Sequence, residues 1–209
     1  MPSLAEPQEP QQTDAKEEKI LAAARDLFLE LGYAATSMDL VAQRAKASKT
    51  TLYTRFPSKE TLFAETISTE CERRGLRFTG ADFAGMSVDE ALFSIGRRFV
   101  DLIWSPEAIR VEQIVTAEAG RFPEVAETFL REGPERMMAQ VGDYLAKCAE
   151  RGFLRIDDPA LAARQFLMLL KGMPHCAMVL GLQAAPTGEA RDDFVRRTVR
   201  LFLDGTRPR

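Results

Sequence analysis

The sequence predicts an all-α protein of about nine helices. A three-helix helix-turn-helix domain is followed by a longer C-terminal helical domain. Three observations predict it. Apolar residues recur at three- and four-residue spacing along nearly the whole chain after residue 14. Small polar caps, prolines and glycines punctuate those runs where helices start and stop. No segment shows the two-residue alternation of a half-buried strand.

Residues 1–14 carry Pro2, Pro7, Pro10 and three glutamines, and read as a flexible tail. In the first helix Ile20, Ala24, Leu27, Phe28 and Leu31 share one face, and Gly32 stops it. Thr36 with Asp39 resembles a capping box and opens a short second helix holding Met38, Leu40, Val41 and Ala45. After the turn Ala45-Lys46-Ala47, Ser48 caps a third helix reaching Phe56. Pro57 ends it, and Ser58 caps a fourth helix carrying Leu62, Phe63 and Ile67 towards Phe78.

Gly80 to Gly85 is a loop dividing the two halves. Ser87 and Glu90 make a full capping box for the fifth helix, with Leu92, Ile95, Phe99, Leu102 and Ile103 on one face. Ser105-Pro106-Glu107 starts the next helix, which ends near Gly120. Pro123 restarts the chain and Gly133-Pro134 breaks or kinks it. A long helix with Met137, Met138, Val141, Tyr144, Leu145 and Cys148 inward reaches Gly152. Asp158-Pro159 begins a helix with Leu161, Phe166, Leu169, Leu170 and Met173, which Pro174 should kink. The last helix spans about 189–204, with Gly205 at its end.

Composition narrows the function classes. The 209 residues suffice for a core without disulfide or metal staples, and 45% hydrophobic with 28% charged residues is ordinary for a soluble domain. No apolar run approaches the roughly 20 residues of a membrane span, and the polar N-terminus lacks the apolar stretch of a signal peptide. Cys71, Cys148 and Cys176 follow no framework spacing, so a cytoplasmic location is expected. A net charge of −3 excludes a protein that coats nucleic acid indiscriminately. His175 is the single histidine, and no phosphate loop, dinucleotide fingerprint or metal-binding pair of motifs occurs. Asp157-Asp158 and Asp192-Asp193 read as helix starts or solvated faces. The expectation is a chain that is not an enzyme and has no cofactor and no metal site.

The informative stretch runs from Thr36 to Phe63. Two short helices joined by a tight turn form the helix-turn-helix layout, whose second helix enters a major groove. Between Met38 and Glu60 stand Arg44, Lys46, Lys49, Arg55 and Lys59 against Asp39 and Glu60, a local charge of +3 in an acidic protein. Phosphates need such cations. Lys49, Thr50, Thr51 and Thr54 are the candidates near base edges, because threonine offers a hydroxyl and a methyl, and lysine reaches guanine acceptors. Thr36 and Ser37 would present a helix N-terminus to phosphate. Ser48 serves either as a cap alone or also as a DNA contact.

This stretch resembles the DNA-binding domain of the TetR family of transcriptional regulators. The residues that carry the resemblance are Gly32-Tyr33, Thr36 through Ala42, Ser48, Leu52-Tyr53, Phe56, and Ser58-Lys59-Glu60 leading to Leu62. It spans about residues 15–65, leaving 66–209 as a second domain. The family usually has glycine where Lys46 stands; a lysine held in the left-handed region costs roughly 1 kcal/mol relative to glycine. Thr50 and Arg55 also depart from the common pattern. The resemblance implies that Tyr53 and Lys59 hold the DNA backbone, and that the protein is a homodimeric repressor on a palindromic operator of double-stranded DNA.

Ala117 through Glu124, Gly133-Pro134, and Gly152 through Pro159 resemble the subgroup with an AefR-like C-terminal domain. The resemblance implies a ligand-binding and dimerisation domain for a small hydrophobic effector, with no membrane partner. The candidate pocket residues are Phe99, Ile103, Trp104, Ile114, Glu118, Met137, Met138, Val141, Tyr144, Phe166 and Leu170. Glu118 either meets a ligand or pairs internally with an arginine such as Arg121, and His175 either reads ligand or pH or is a satisfied interface residue. Phe166, Met173, Val179, Phe194, Thr198 and Leu201 are the candidate dimer contacts. The alternative is a DNA-binding regulator controlled by a protein partner without a small ligand.

Overall fold

Local capping chemistry accounts for most of the helix starts. The computed structural model describes residues 10–73, 83 and 85–208, with side chains in the first helix from residue 15 onward. The chain runs α1 (Pro10–Ala35), α2 (Met38–Ala45), α3 (Lys49–Arg55), α4 (Lys59–Arg73), α5 (Val88–Ile103), α6 (Pro106–Glu118), α7 (Pro123–Leu130), α8 (Arg136–Glu150), α9 (Pro159–Val179) and α10 (Gly188–Thr206). A wide π turn, Arg131–Glu135, joins α7 to α8 as one continuous helix, which makes nine among the described residues. Ser48, Ser87, Ser105 and Asp158 each accept from the backbone amide three residues on, and Ser87 with Glu90 completes the capping box. Such a cap is worth about 1 kcal/mol.

Several boundaries differ from the expected ones. Residues 10–14 belong to α1 and not to a tail, while residues 1–9 lie outside the described residues. So do residues 74–79 of the expected fourth helix and most of the Gly80–Gly85 loop. The cap of α2 is Ser37, not Thr36. Gly133-Pro134 neither breaks nor sharply ends the helix. The π turn widens the backbone around Pro134, whose ring would otherwise meet the carbonyl one turn earlier. In α9 the backbone leaves the helical region at Gly172 (φ 48, ψ −170), two residues before Pro174. Pro174 then opens the next helical stretch, where its missing amide costs nothing. Gly205 lies inside α10, which is capped by Arg207.

Burial divides into two cores. One contains Ile20, Ala24, Leu27, Phe28, Tyr33, Val41, Leu52, Phe56, Leu62 and Phe63 from α1–α4, closed by Val115 of α6 and Val125 of α7. The other packs α5, α8, α9 and α10 through Leu92, Ile95, Phe99, Val141, Leu145, Phe166, Leu170 and Phe202. Gly96 permits the close approach there, since a Cβ would lie 3.0 Å from Val195 Cγ1. The apolar period misled at four positions, Leu31, Leu40, Leu161 and Leu169, which are exposed. Leu40 was expected in the core, but it stands on the outer side of α2 while Met38, Val41 and Ala42 face inward.

Candidate nucleic-acid interface

The turn between α2 and α3 is closed by Lys46, the one described non-glycine residue with positive φ (φ 53, ψ 37). Its amide donates back to α2, so the strain of about 1 kcal/mol is offset by a satisfied C-cap. From there α3 presents one outer stripe. Lys49 and Tyr53 lie one turn apart, as do Thr50 and Thr54, and all four are exposed. Leu52 and Phe56 turn inward and anchor α3 on the N-terminal core. This division is the direct result of the 3.6-residue period on a helix too short to need a second buried face.

The hydroxyls divide into exposed and occupied. Ser48 Oγ accepts from the Thr51 amide (3.0 Å) and lies 2.8 Å from Thr51 Oγ1, so these two residues chiefly hold the helix start. Thr54 is exposed, and its Oγ1 donates to Thr50 O (2.7 Å). Ser37 is exposed at the start of α2. Thr36 is not available to phosphate: its side chain is 1% exposed, and its hydroxyl donates to Gly32 O (2.7 Å) and Leu27 O (3.2 Å). The expected cap is therefore a buried tie between α1 and α2.

The basic side chains carry partners that the linear count of charge overlooked. Lys49 Nζ meets Asp39 (2.8 Å), Arg44 is bidentate to Glu30 (3.1 and 3.0 Å), and Arg55 pairs with Glu17. The carboxylate beside Lys49 holds its ammonium above the ordinary range, so it stays cationic. Exposed pairs of this kind are weakly held, so a phosphate can replace the carboxylate. Lys59 differs. Its half-buried ammonium donates to Tyr33 O (2.9 Å) and Thr36 O (3.1 Å), 4.2 Å above the Tyr33 ring. It is tied to the end of α1 before any DNA arrives.

That end of α1 has a further partner in Glu118, which the sequence reading placed in the ligand pocket or on an arginine. The Glu118 carboxylate, at the end of α6, accepts from the Tyr33 amide (2.9 Å) and the Ala34 amide (2.8 Å). It faces the backbone of the α1–α4 half, and its partner is not Arg121. Tyr33 itself donates to Glu60 (3.0 Å) and packs between Phe28, Phe63 and Phe122. Burial and that acid push the Tyr33 phenol well above its ordinary range, so it remains a donor. The sequence singled out Glu118 and the Ala117–Glu124 run, but carried no indication that the carboxylate reaches the end of α1.

The other candidate pocket residues are mostly packed. Phe99, Trp104, Met137, Val141, Phe166 and Leu170 lie in the C-terminal core, with Ile103, Met138 and Tyr144 at its edge. Ile114 is 9% exposed. Two clefts are described. A small one, of about 20 Å³, includes Met137. A groove of about 440 Å³ between α5 and α10 is lined by Phe93, Arg196 and Arg200 among others, none of them on that candidate roster. Trp104 Nε1 and His175 Nδ1 are buried without a hydrogen-bond partner among the described residues. Among the candidate dimer contacts, Phe166 and Thr198 are buried within their own chain: Phe166 packs 4.9 Å from Phe202, and Thr198 donates to Phe194 O (3.0 Å). Phe194 is half-buried on Trp104, Val179 is half-buried, and Met173 and Leu201 are exposed.

His175 is tied to α6. Its Nε2 lies 2.9 Å from Glu112 Oε2, and Lys171 Nζ donates to Oε1 at 2.9 Å. Burial pushes the Glu112 carboxyl up, but the bonds from His175 and Lys171 outweigh it and bring it down to about 2, from an ordinary 4.5. A depressed carboxylate adds stability that is complete above its unfolded value and lost as pH falls through its folded value. The melting temperature should therefore drop through the interval from about 4.5 to about 2. The drop should be shallower in Glu112→Gln, as a thermal-melt series across that interval would record. Parallel acid limbs would remove Glu112 from the account.

Comparison with known proteins agrees with this geometry. The family described as "Bacterial regulatory proteins, tetR family" matches residues 20–66, and "AefR-like transcriptional repressor, C-terminal domain" matches residues 90–205. The HTH-type transcriptional regulator RutR of Escherichia coli (strain K12) is 29% identical over 212 aligned residues, covering 93% of this chain and 92% of that protein. The HTH-type regulator YhgD of Bacillus subtilis (strain 168) is 52% identical over 50 residues, 24% of this chain and 26% of its own length. Among solved structures, the Flavonoid-responsive Regulator FrrA shares 37% identity with a TM-score of 0.77, over 94% of this chain and 99% of its own. A TetR-family regulator from Mesorhizobium loti gives a TM-score of 0.80 at 25% identity, over 95% of this chain and 100% of its own.

Proposed function

Because the chain belongs to the TetR family of bacterial transcriptional regulators, we propose that it is a homodimeric repressor released from a palindromic operator by a small hydrophobic effector. The relatives and families it matches are regulators of transcription, not enzymes. The observation that carries the DNA-reading part is the outer stripe of α3, Lys49, Thr50, Tyr53 and Thr54, standing on a buried Leu52 and Phe56. Ser37 and Ser48 flank that stripe and serve phosphate contacts through their helix starts. Thr51 contributes by holding Ser48, and Lys59 by fixing α1 against α4.

Dimerisation is supported by an apolar outer stripe on α9. Leu161, Met168, Leu169 and Met173 recur at helical spacing and are exposed, as is Leu201 on the neighbouring α10. Large apolar side chains so grouped belong to an interface. Two-fold pairing there would set two recognition helices about 34–36 Å apart, one turn of DNA.

The effector half of the reading is supported by the likeness to the flavonoid-responsive FrrA, which suggests a planar, largely apolar molecule with hydrogen-bonding groups. The unpartnered Trp104 Nε1 and His175 Nδ1 suit such groups. Binding in the C-terminal half would displace α4 and with it α3, a two-state shift biased by ligand. The packed condition of Phe99, Trp104, Val141, Phe166 and Leu170 favours a second reading, in which a protein partner acts in place of a small ligand.

The deciding experiment is selection of bound duplexes from a random pool, followed by release with a flavonoid panel. A recovered palindrome released by a flavonoid supports the whole reading. A palindrome that no panel member releases favours the protein-partner reading. Failure to enrich any sequence overturns the DNA assignment.

A further inference from the structure

The end of α1 is held from α6 through its backbone. At Gly32 the backbone leaves the helix (φ 82, ψ 174), which turns the amides of Tyr33 and Ala34 towards α6. Both amides end on the same carboxylate, one on each oxygen of Glu118, at 2.9 and 2.8 Å. A two-point contact of this kind fixes orientation as well as distance. The approach is so close that a Cβ on residue 32 would lie 2.6 Å from Glu118 Oε1. Phe122, on the turn after α6, adds an edge contact to the Tyr33 ring at 5.5 Å.

From this point to the DNA-facing helices the chain is tied at successive positions. Thr36 donates to Gly32 O and Leu27 O, and Lys59 donates to Tyr33 O and Thr36 O. Ser37 then caps α2, whose Ala42 and Gln43 carbonyls accept from the Ala47 and Lys46 amides of the turn before α3. A movement of α6 therefore reaches the start of α2 through hydrogen-bonded backbone rather than through side-chain packing alone.

We propose that Glu118 is a positioning residue for DNA recognition, clasping the end of α1 so that α6 sets where α2 and α3 stand. The proposal rests on the DNA-reading part of the function above and adds a route separate from α4. It also explains the Ala117–Glu124 run, in which Glu118 clasps, Phe122 packs on Tyr33 and Pro123 starts α7. A carboxylate that only stabilised the fold would change the folded fraction. A positioning carboxylate changes how well folded protein tells its operator from other DNA.

The test uses the full chain and a duplex selected by the wild type, with a scrambled duplex of equal length. Glu118→Gln keeps the size but sets an amide donor against an amide donor. Exposed Glu127→Gln controls for the lost charge. The expected result is a loss of about tenfold to a hundredfold on the selected duplex, the scale of hydrogen bonds to a charged group. Binding to the scrambled duplex, which phosphate attraction dominates, should stay within about twofold. The control should match the wild type on both. Glu118→Ala is expected to follow the same pattern, and Glu118→Gln decides should alanine fail to fold. Unchanged operator binding by Glu118→Gln, or a proportional loss on both duplexes, overturns the proposal. A wild type that selects no duplex overturns the DNA reading, and the clasp's role in it falls too.

Discussion

Gly32→Ala is expected to lower the melting temperature by about 10 °C and to abolish operator binding. The dihedrals at Gly32 (φ 82, ψ 174) lie in a region that is essentially restricted to glycine. Holding alanine there costs about 1–3 kcal/mol. The new methyl would also lie 2.6 Å from Glu118 Oε1, closer than real Cβ contacts come. Glu118 cannot step aside freely, because both oxygens hold amides. Moving it strips two donors; the part-buried Tyr33 amide costs about 1–3 kcal/mol when left unsatisfied, while the exposed Ala34 amide turns to water. A total of about 3 kcal/mol or more corresponds to roughly 10 °C in a chain of this size. Gly152 supplies the comparison. It too has positive φ (73), but a Cβ there would meet nothing within 4 Å. Gly152→Ala should thus cost only about 1 kcal/mol. Melting curves for the two variants separate the effects. If Gly32→Ala melts alongside Gly152→Ala, the clasp does not hold α1.

Thr50→Glu should reduce operator affinity at least a hundredfold while leaving the protein as stable as the wild type. Thr50 is the second residue of α3, is exposed, and stands in a first turn that has no acid. A carboxylate there is favourable to the helix by about 0.3–1 kcal/mol. Facing DNA, the same charge opposes phosphate and base acceptors, and like charges brought together cost several kcal/mol. The two effects have opposite signs, so a binding loss cannot be ascribed to unfolding. Anisotropy titration of a selected duplex, beside a thermal melt, reads both. Binding within a few-fold of wild type would take the α3 stripe out of the interface.

The part of the fold that was legible in the sequence is the part held by short-range chemistry. Ser48, Ser58, Ser87, Ser105 and Asp158 cap helices with partners three residues away. Lys46 adopts the left-handed turn that its place between two short helices demands. The buried set Val41, Leu52 and Phe56 followed from periodicity, as did the exposed stripe of α3. Thr36 shows where such reasoning stops. Its spacing to Asp39 looked like a cap, but packing of α1 against α2 buried its hydroxyl on the Gly32 and Leu27 carbonyls.

Tertiary structure decided the pairings between distant segments. Nothing local distinguishes Glu118 from any other helix-ending acid, because the amides it holds lie more than eighty residues earlier. The same applies to Glu112 with His175, and to Lys49, Arg44 and Arg55 with the acids beside them. It applies to the apolar face of α9 as well, where period alone ranked Phe166 with Leu161, although one is buried and the other is outside. By itself the sequence determined that the chain is helical, where its helices begin, and that an α2–α3 pair presents a basic and hydroxyl-rich face. Those features depend on energies settled within one or two turns. The partners of its charges, and the apolar side chains left outside, depend on which helices meet; that is set by burial of the whole apolar surface at once.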